Sequence, residues 1–195
     1  KLKIGVLASG KGTNFQELIN LSEKGELDID IKVLITNKDE AGCIKRAESK
    51  KIPHKIIRGK DFLQKEAFEL EIVNTLIHYD VELVVMAGWM KIVTPFFINK
   101  FKNKIINIHP SLLPAYKGGS AIKDSILNGS KITGCSVHFV EEEVDSGSLI
   151  MQAALSIRDD DDIESLSKRI QMLEHKILPH SISLAGILIR SNFME

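Results

Sequence analysis

Asn107 and His109 stand two residues apart in the run KIINIHP. The first offers an uncharged N–H donor, the second a proton donor and acceptor at physiological pH. Residues Lys104 to Ile108 carry the β-branched pattern of a buried strand, in which every second side chain shares a face. The pair therefore projects together from the strand's end. Donors fixed in that way suit acyl transfer, whose tetrahedral intermediate develops a negative oxygen. Pro110 and Pro114 stiffen the exit. His109 alone would read as a hydrogen-bonded loop residue. A further group changes that balance. In GCSVHFVEEEVDSGSLI, Asp145 is enclosed by Val144, Ser146 and Gly147, which favours a partly buried carboxylate able to fix a neighbouring histidine's tautomer. Cys135 to Val140 reads as a strand with His138 on one face; spacing alone leaves open whether Asp145 meets His109.

Two other segments are placed for ligand binding. SGKGTN, Ser9 to Asn14, follows the first strand directly, and Gly10 and Gly12 permit a tight turn into a helix N-terminus that presents free N–H groups to an anion. Phe15 occupies the place of a third glycine, and the terminal Lys-Ser/Thr of a nucleotide-triphosphate loop is missing. Two readings stay open: a loop for one phosphate, or a plain glycine turn capped by Thr13 or Asn14. In AGWMKIV, Ala87 to Met90 could form a flat apolar wall for an aromatic ring or an ordinary strand-end packing cluster. The aspartates Asp159 to Asp162 read as a helix start, with Asp161 and Glu164 spaced as a capping box, rather than as a metal site. His175 and His180 lack zinc-motif spacing, His54 and His78 read as surface or strand-end residues, and Cys43 and Cys135 as packing.

These residues need a scaffold. KIGVLAS, IDIKVLITN, HKII, ELVVMAG and KIINI are strands, separated by helices near NFQELINLSEKG, AGCIKRAESKK, Asp61 to Tyr79, and PFFINKF. After a helix near AIKDSILNG come two neighbouring strands, ITGCSVHFV and GSLIMQAALSI, and a long helix from about Asp161. The alternation predicts an α/β doubly wound, mostly parallel twisted sheet with an antiparallel edge, as one domain over 1–195. Ligands then sit beyond the carboxyl ends of the strands, where the segments above fall. With 44% hydrophobic and 27% charged residues and 26 acids against 26 bases, no net field favours nucleic acid or an anionic membrane. No apolar run approaches a membrane span, and two cysteines read as reduced thiols in a cytoplasmic protein. The start lacks a signal-peptide layout, and the compact ends suggest a stand-alone enzyme.

SGKGTN, AGWMKI, NIHPSLLPAYKGG and GCSVHFVEEEVDSG occur in this order and at these separations. Together they resemble the folate-dependent phosphoribosylglycinamide formyltransferase family, and the resemblance runs from the first strand to the last helix. It implies transfer of a formyl group from 10-formyltetrahydrofolate, a cosubstrate, to the amine of glycinamide ribonucleotide in purine synthesis, without a metal. It implies a catalytic trio of Asn107, His109 and Asp145, with Gly12, Thr13 and Asn14 on the substrate phosphate and Glu174 on its ribose. The folate side would be lined by Met90, Lys91, Ile92 and Val93, by Asn107, and by Glu141, Glu142, Glu143, Val144 and Asp145. In this family the Leu113-Pro114 bond is expected to be cis. Lys65 and Lys91 fall where some relatives carry arginine near the folate, so a bidentate contact becomes a single charge; Ile122 falls where relatives often carry histidine, so the resemblance assigns that side chain no role. Small-molecule substrates are the implied partners, for a monomer or weak homodimer.

Three competing readings share part of this pattern. A formyltetrahydrofolate deformylase would pass the formyl group to water and carry an extra N-terminal domain. A methionyl-tRNA formyltransferase would need a C-terminal tRNA-binding domain and more positive charge. A non-catalytic nucleotide-binding module would keep the glycine loop without reason to hold Asn107, His109 and Asp145.

Overall fold

The computed structural model describes residues 1–191. Strands Leu2–Leu7 (β1), Ile29–Thr36 (β2), His54–Ile56 (β3), Leu83–Met86 (β4) and Ile105–His109 (β5) pair in parallel. Ile132–Phe139 (β6) pairs antiparallel to β5, and Leu149–Ser156 (β7) antiparallel to β6, giving the order β3-β2-β1-β4-β5-β6-β7. This is the doubly wound sheet with an antiparallel edge that the sequence predicts. The helices are Thr13–Glu23 (α1), Gly42–Ser49 (α2), Lys65–His78 (α3), Pro95–Lys100 (α4), Ala121–Leu127 (α5) and Ile163–Arg190 (α6). Among the described residues no helix is long and apolar enough to cross a membrane.

Strand periodicity sorts the core into two layers. Leu83 and Val85 of β4 pack with Phe15 and Leu18 of α1, Cys43 of α2 and Ile170 of α6. Val84 and Met86, pointing the other way, pack with Phe68 and Ile72 of α3 and Phe97 of α4. On β5 the same alternation sends Ile106 and Ile108 into the first layer and Ile105 into the second. Asn107 and His109 therefore share Ile105's face, where the antiparallel register sets them opposite His138 and Ser136 of β6. The apolar layers end where this polar cluster begins.

Two predicted boundaries move. The third long helix begins at Lys65 rather than Asp61: Gly59–Asp61 form a short 3₁₀ turn, and Phe62 and Gln64 are extended. The turn is held by Arg58, whose guanidinium is shared by Asp39 and Asp61. The capping box of α6 uses Asp162 and Ser165, one residue on from Asp161 and Glu164. Ser165 N–H donates to Asp162 Oδ1 at 2.7 Å and Asp162 N–H to Ser165 Oγ at 3.0 Å. Asp162 has the extended backbone an N-cap requires, while Asp161 accepts from Arg158 N–H and pairs with Arg169. The Leu113-Pro114 bond is cis. Cys43 and Cys135 are buried as predicted, and burial pushes both thiols up, Cys135 to about 12 with the Glu174 charge adding.

Beyond β6 the chain loops back to β7 through Gly147, where a Cβ would lie 1.8 Å from the Phe139 carbonyl oxygen. We predict that Gly147→Ala destabilises the fold by about 2 kcal/mol or more, as overpacking against rigid backbone does. Urea unfolding checks this; a change within about 0.5 kcal/mol would contradict it.

Candidate active site

The loop after β1 is shaped by α2. Gly12, the N-cap of α1, sits at φ 69°, and a Cβ there would stand 2.5 Å from Cys43 Cβ. Only glycine meets both demands. Cys43 N–H donates to Gly10 carbonyl at 3.1 Å and Arg46 Nε to Lys11 carbonyl at 2.8 Å, so α2 props the loop from behind. No side chain caps α1, which sets aside the reading of Thr13 or Asn14 as caps and leaves the first-turn N–H groups for a ligand. Asn14 turns toward α6 instead: its Nδ2 donates to Glu174 Oε2 at 2.8 Å, and its buried Oδ1 has no partner. Burial pushes the Glu174 carboxyl up, with the Asn14 hydrogen bond pulling against it. An unpaired acceptor and a buried carboxyl side by side suit a hydroxyl-bearing ligand.

The loop after β4 lies alongside, because β4 is β1's neighbour in the sheet. Ser9 N–H donates to Gly88 carbonyl at 3.0 Å, and Ser9 Oγ accepts from Met90 N–H at 3.0 Å while donating to Asn37 Oδ1. The two loops are thereby fixed to each other.

At β5 the polar cluster converges on Asp145, whose side chain is 8% exposed. Its Oδ2 lies 3.4 Å from His109 Nδ1 and accepts from Gly118 N–H at 2.8 Å; its Oδ1 lies 3.5 Å from His138 Nε2. The far edge of each ring is already committed. His109 Nε2 lies 2.8 Å from the Tyr116 carbonyl and His138 Nδ1 2.7 Å from the Phe139 carbonyl, so both of those nitrogens carry hydrogen and donate. With neutral rings, lone pairs would face the carboxylate; a proton entering the trio turns one contact into a charge-assisted hydrogen bond. Burial by itself would push Asp145 up, yet the His138 hydrogen bond, the Gly118 N–H and the two imidazole charges together hold it below its ordinary value. Asn107 Nδ2 is 3.3 Å from His138 Nε2, to which it donates only while that nitrogen is unprotonated and not donating to Asp145, and its second N–H is left for a ligand.

These groups line one cavity of about 550 Å³, the size of a small-molecule site. Gly12, Thr13 and Asn14 form one wall with Glu174; Met90 to Val93 form another; Asn107, His109, Glu141, Glu142, Val144 and Asp145 close the third. Ile122 also lines it, so this apolar side chain faces the ligand space. Lys65 and Glu143 lie outside the lining: Lys65 is exposed at the start of α3, and Glu143 pairs with Lys117 at 2.8 Å. The sequence marks His138 only as a strand residue. It meets Asp145 beside a register shift at Val137/His138 in the β6–β7 pair, for which the sequence carries no signal.

Residues 2–182 match the formyl transferase family. A phosphoribosylglycinamide formyltransferase of Bacillus subtilis is 38% identical over 92% of this chain and 92% of its own. A trifunctional purine biosynthetic protein of Chironomus tentans is 41% identical over 95% of this chain, which spans only 14% of that relative's length. The crystal structure of a Bacillus halodurans phosphoribosylglycinamide formyltransferase superposes with a TM-score of 0.90 at 37% identity, covering 95% of each chain.

Because the Asp145 carboxyl titrates lower in the folded chain than in the unfolded one, the unfolded chain binds its proton more readily. The resulting stabilisation is present above about pH 4 and is lost as pH falls through the folded value. Asp145→Asn should therefore flatten the acid side of a stability–pH profile measured by urea melts. An unchanged acid slope would show that the carboxylate is not held in this way.

Proposed function

The chain belongs to the formyl transferase family, and on that premise we propose that it moves the formyl group of 10-formyltetrahydrofolate to the amine of glycinamide ribonucleotide. The observation that carries this reading is the meeting of Asn107, His109 and Asp145 at one wall of a cavity whose opposite wall is the glycine loop at the uncapped start of α1. In support, relatives that match along nine-tenths or more of their length bear the name of this activity. Gly12, Thr13 and Asn14 would hold the phosphate, Glu174 and Asn14 the ribose hydroxyls, and the wall of Met90 to Val93 the folate.

The neutral amine attacks the formyl carbon, forming the new C–N bond, and the carbonyl electrons move onto oxygen. Asn107, with an N–H not used inside the protein, is the donor ready for that oxygen. His109 differs, since both its nitrogens are engaged; protonated against Asp145, it contributes positive charge beside the oxyanion, and a direct N–H requires it to release the Tyr116 carbonyl. Collapse breaks the bond to N10, and the amine's proton passes to N10, with Asp145 as the group able to relay it. These side chains supply what the step needs without a metal ion. We read residues 1–195 as one domain acting in the cytoplasm, as a monomer or weak homodimer, with small molecules rather than nucleic acid or membrane as its partners.

Mixing the protein with 10-formyltetrahydrofolate, with and without glycinamide ribonucleotide, tests the reading through release of tetrahydrofolate. Release only with the amine is expected. Release without it would mean a deformylase, and none at all a binding protein. Within an active enzyme, Asn107→Ala and Asp145→Ala should fold and bind substrate yet lose about 10²–10³ in kcat, the usual effect of removing one oxyanion-stabilising group. Near-full kcat in Asp145→Ala would remove it from the trio.

A further inference from the structure

The loop from Gly88 to Val93 supplies a whole wall of the cavity, yet Met90 and Ile92 stand 69% and 62% exposed. Large apolar side chains left open in a cavity hold their place only if the backbone beneath them is fixed. One anchor is the Met90 N–H on Ser9 Oγ. The other comes from α3. Glu69 is a carboxylate only 2% exposed, a costly residue to bury without donors. Both of its oxygens go to a single residue: Oε1 accepts the Thr94 backbone N–H at 2.8 Å and Oε2 accepts the Thr94 hydroxyl. Thr94 is where the loop ends, as the N-cap of α4, and its hydroxyl does not cap that helix. The residue next to Glu69 grips the same loop. Phe68 stacks on Trp89, with ring centroids 6.4 Å apart and planes within 4°, and Phe62 packs on the edge of Phe68.

We propose that Glu69 is a positioning residue for the formyl donor: acting through Thr94, it fixes the Met90–Val93 wall against which the donor's ring system rests. The proposal rests on the reading that this wall belongs to the folate and the glycine loop to the ribonucleotide. Glu69 touches neither ligand, and because it grips the far end of the Met90–Val93 loop from the Ser9 tie, its effect falls chiefly on the donor. The Gly12–Asn14 wall hangs on α2 and α6 and does not involve α3.

The test compares Glu69→Ala, Glu69→Gln and Thr94→Val with the wild type. Glu69→Ala should raise KM for 10-formyltetrahydrofolate roughly tenfold or more, with kcat and KM for glycinamide ribonucleotide within about twofold, since a misplaced binding wall weakens only the ligand it contacts. Glu69→Gln should restore the donor KM, because its amide oxygen still accepts the Thr94 N–H. Thr94→Val, which removes only the hydroxyl, should raise donor KM severalfold and keeps the test alive if Glu69→Ala does not fold. A second readout needs no turnover. Trp89 is the chain's single tryptophan, so its emission reports the loop directly and should shift to longer wavelength in Glu69→Ala as the Phe68 cover loosens. An unchanged donor KM with unchanged emission, or an equal rise in both KM values, would overturn the proposal. A wild type without formyl transfer would sink the assigned reaction instead, while the emission of Glu69→Ala would still report on the anchor.

Discussion

A carboxylate wedged between two imidazoles is the interaction on which this site depends. Removing an ionised Asp145 from water costs several kcal/mol, and only well-placed donors offset that. Gly118 supplies one through its backbone. A ring supplies another only when it is protonated with its inner nitrogen facing the carboxylate, and each is aimed by a backbone carbonyl at its far edge: Tyr116 for His109, Phe139 for His138. The site is therefore an alternation of main chain and side chain. Each imidazole is held from outside, and the carboxylate sits where the two inner edges meet. A proton taken up here is shared by groups that cannot turn away from it.

The fold exists, in functional terms, to bring three loops to one end of the sheet. β1 and β4 are neighbours, so the glycine loop and the Trp89 loop lie side by side, tied by Ser9. β5 adds Asn107 and His109 on the face where the apolar layer stops. The antiparallel edge does what a parallel strand could not. It runs β6 back along β5, so that His138 stands directly opposite Asn107 and the chain then re-enters the site through Asp145. Asp145 itself adopts φ 52°, a left-handed conformation uncommon outside glycine, and Gly147 follows where no side chain fits. The turn is built around that one carboxylate.

Much of this was legible in the sequence. Period-2 alternation put Asn107 and His109 on one face, and the strand–helix alternation gave the sheet and the rim where the loops gather. The convergence of Asp145 with His109 is not set by spacing, and the fold brings the two to 3.4 Å. The shift of the capping box from Asp161 to Asp162 reflects adjacent aspartates that the pattern cannot separate. Asp61 did not start a helix because a turn tied to Arg58 intervened. The roles of His138 and Glu69 were invisible for a common reason. His138 becomes a partner only through register, and Glu69 only through the approach of α3 to Thr94; both are decided by pairing between segments distant in the chain.

The tautomers of the two histidines test the central claim most directly. In ¹⁵N-histidine-labelled protein, NMR should find His109 protonated at Nε2 and His138 at Nδ1, with each inner nitrogen coupled to the titration of Asp145. Replacing Asp145 with asparagine should uncouple them while the outer N–H assignments persist. Rings that exchange freely between tautomers in the wild type, or a His109 with a bare Nε2, would contradict the account.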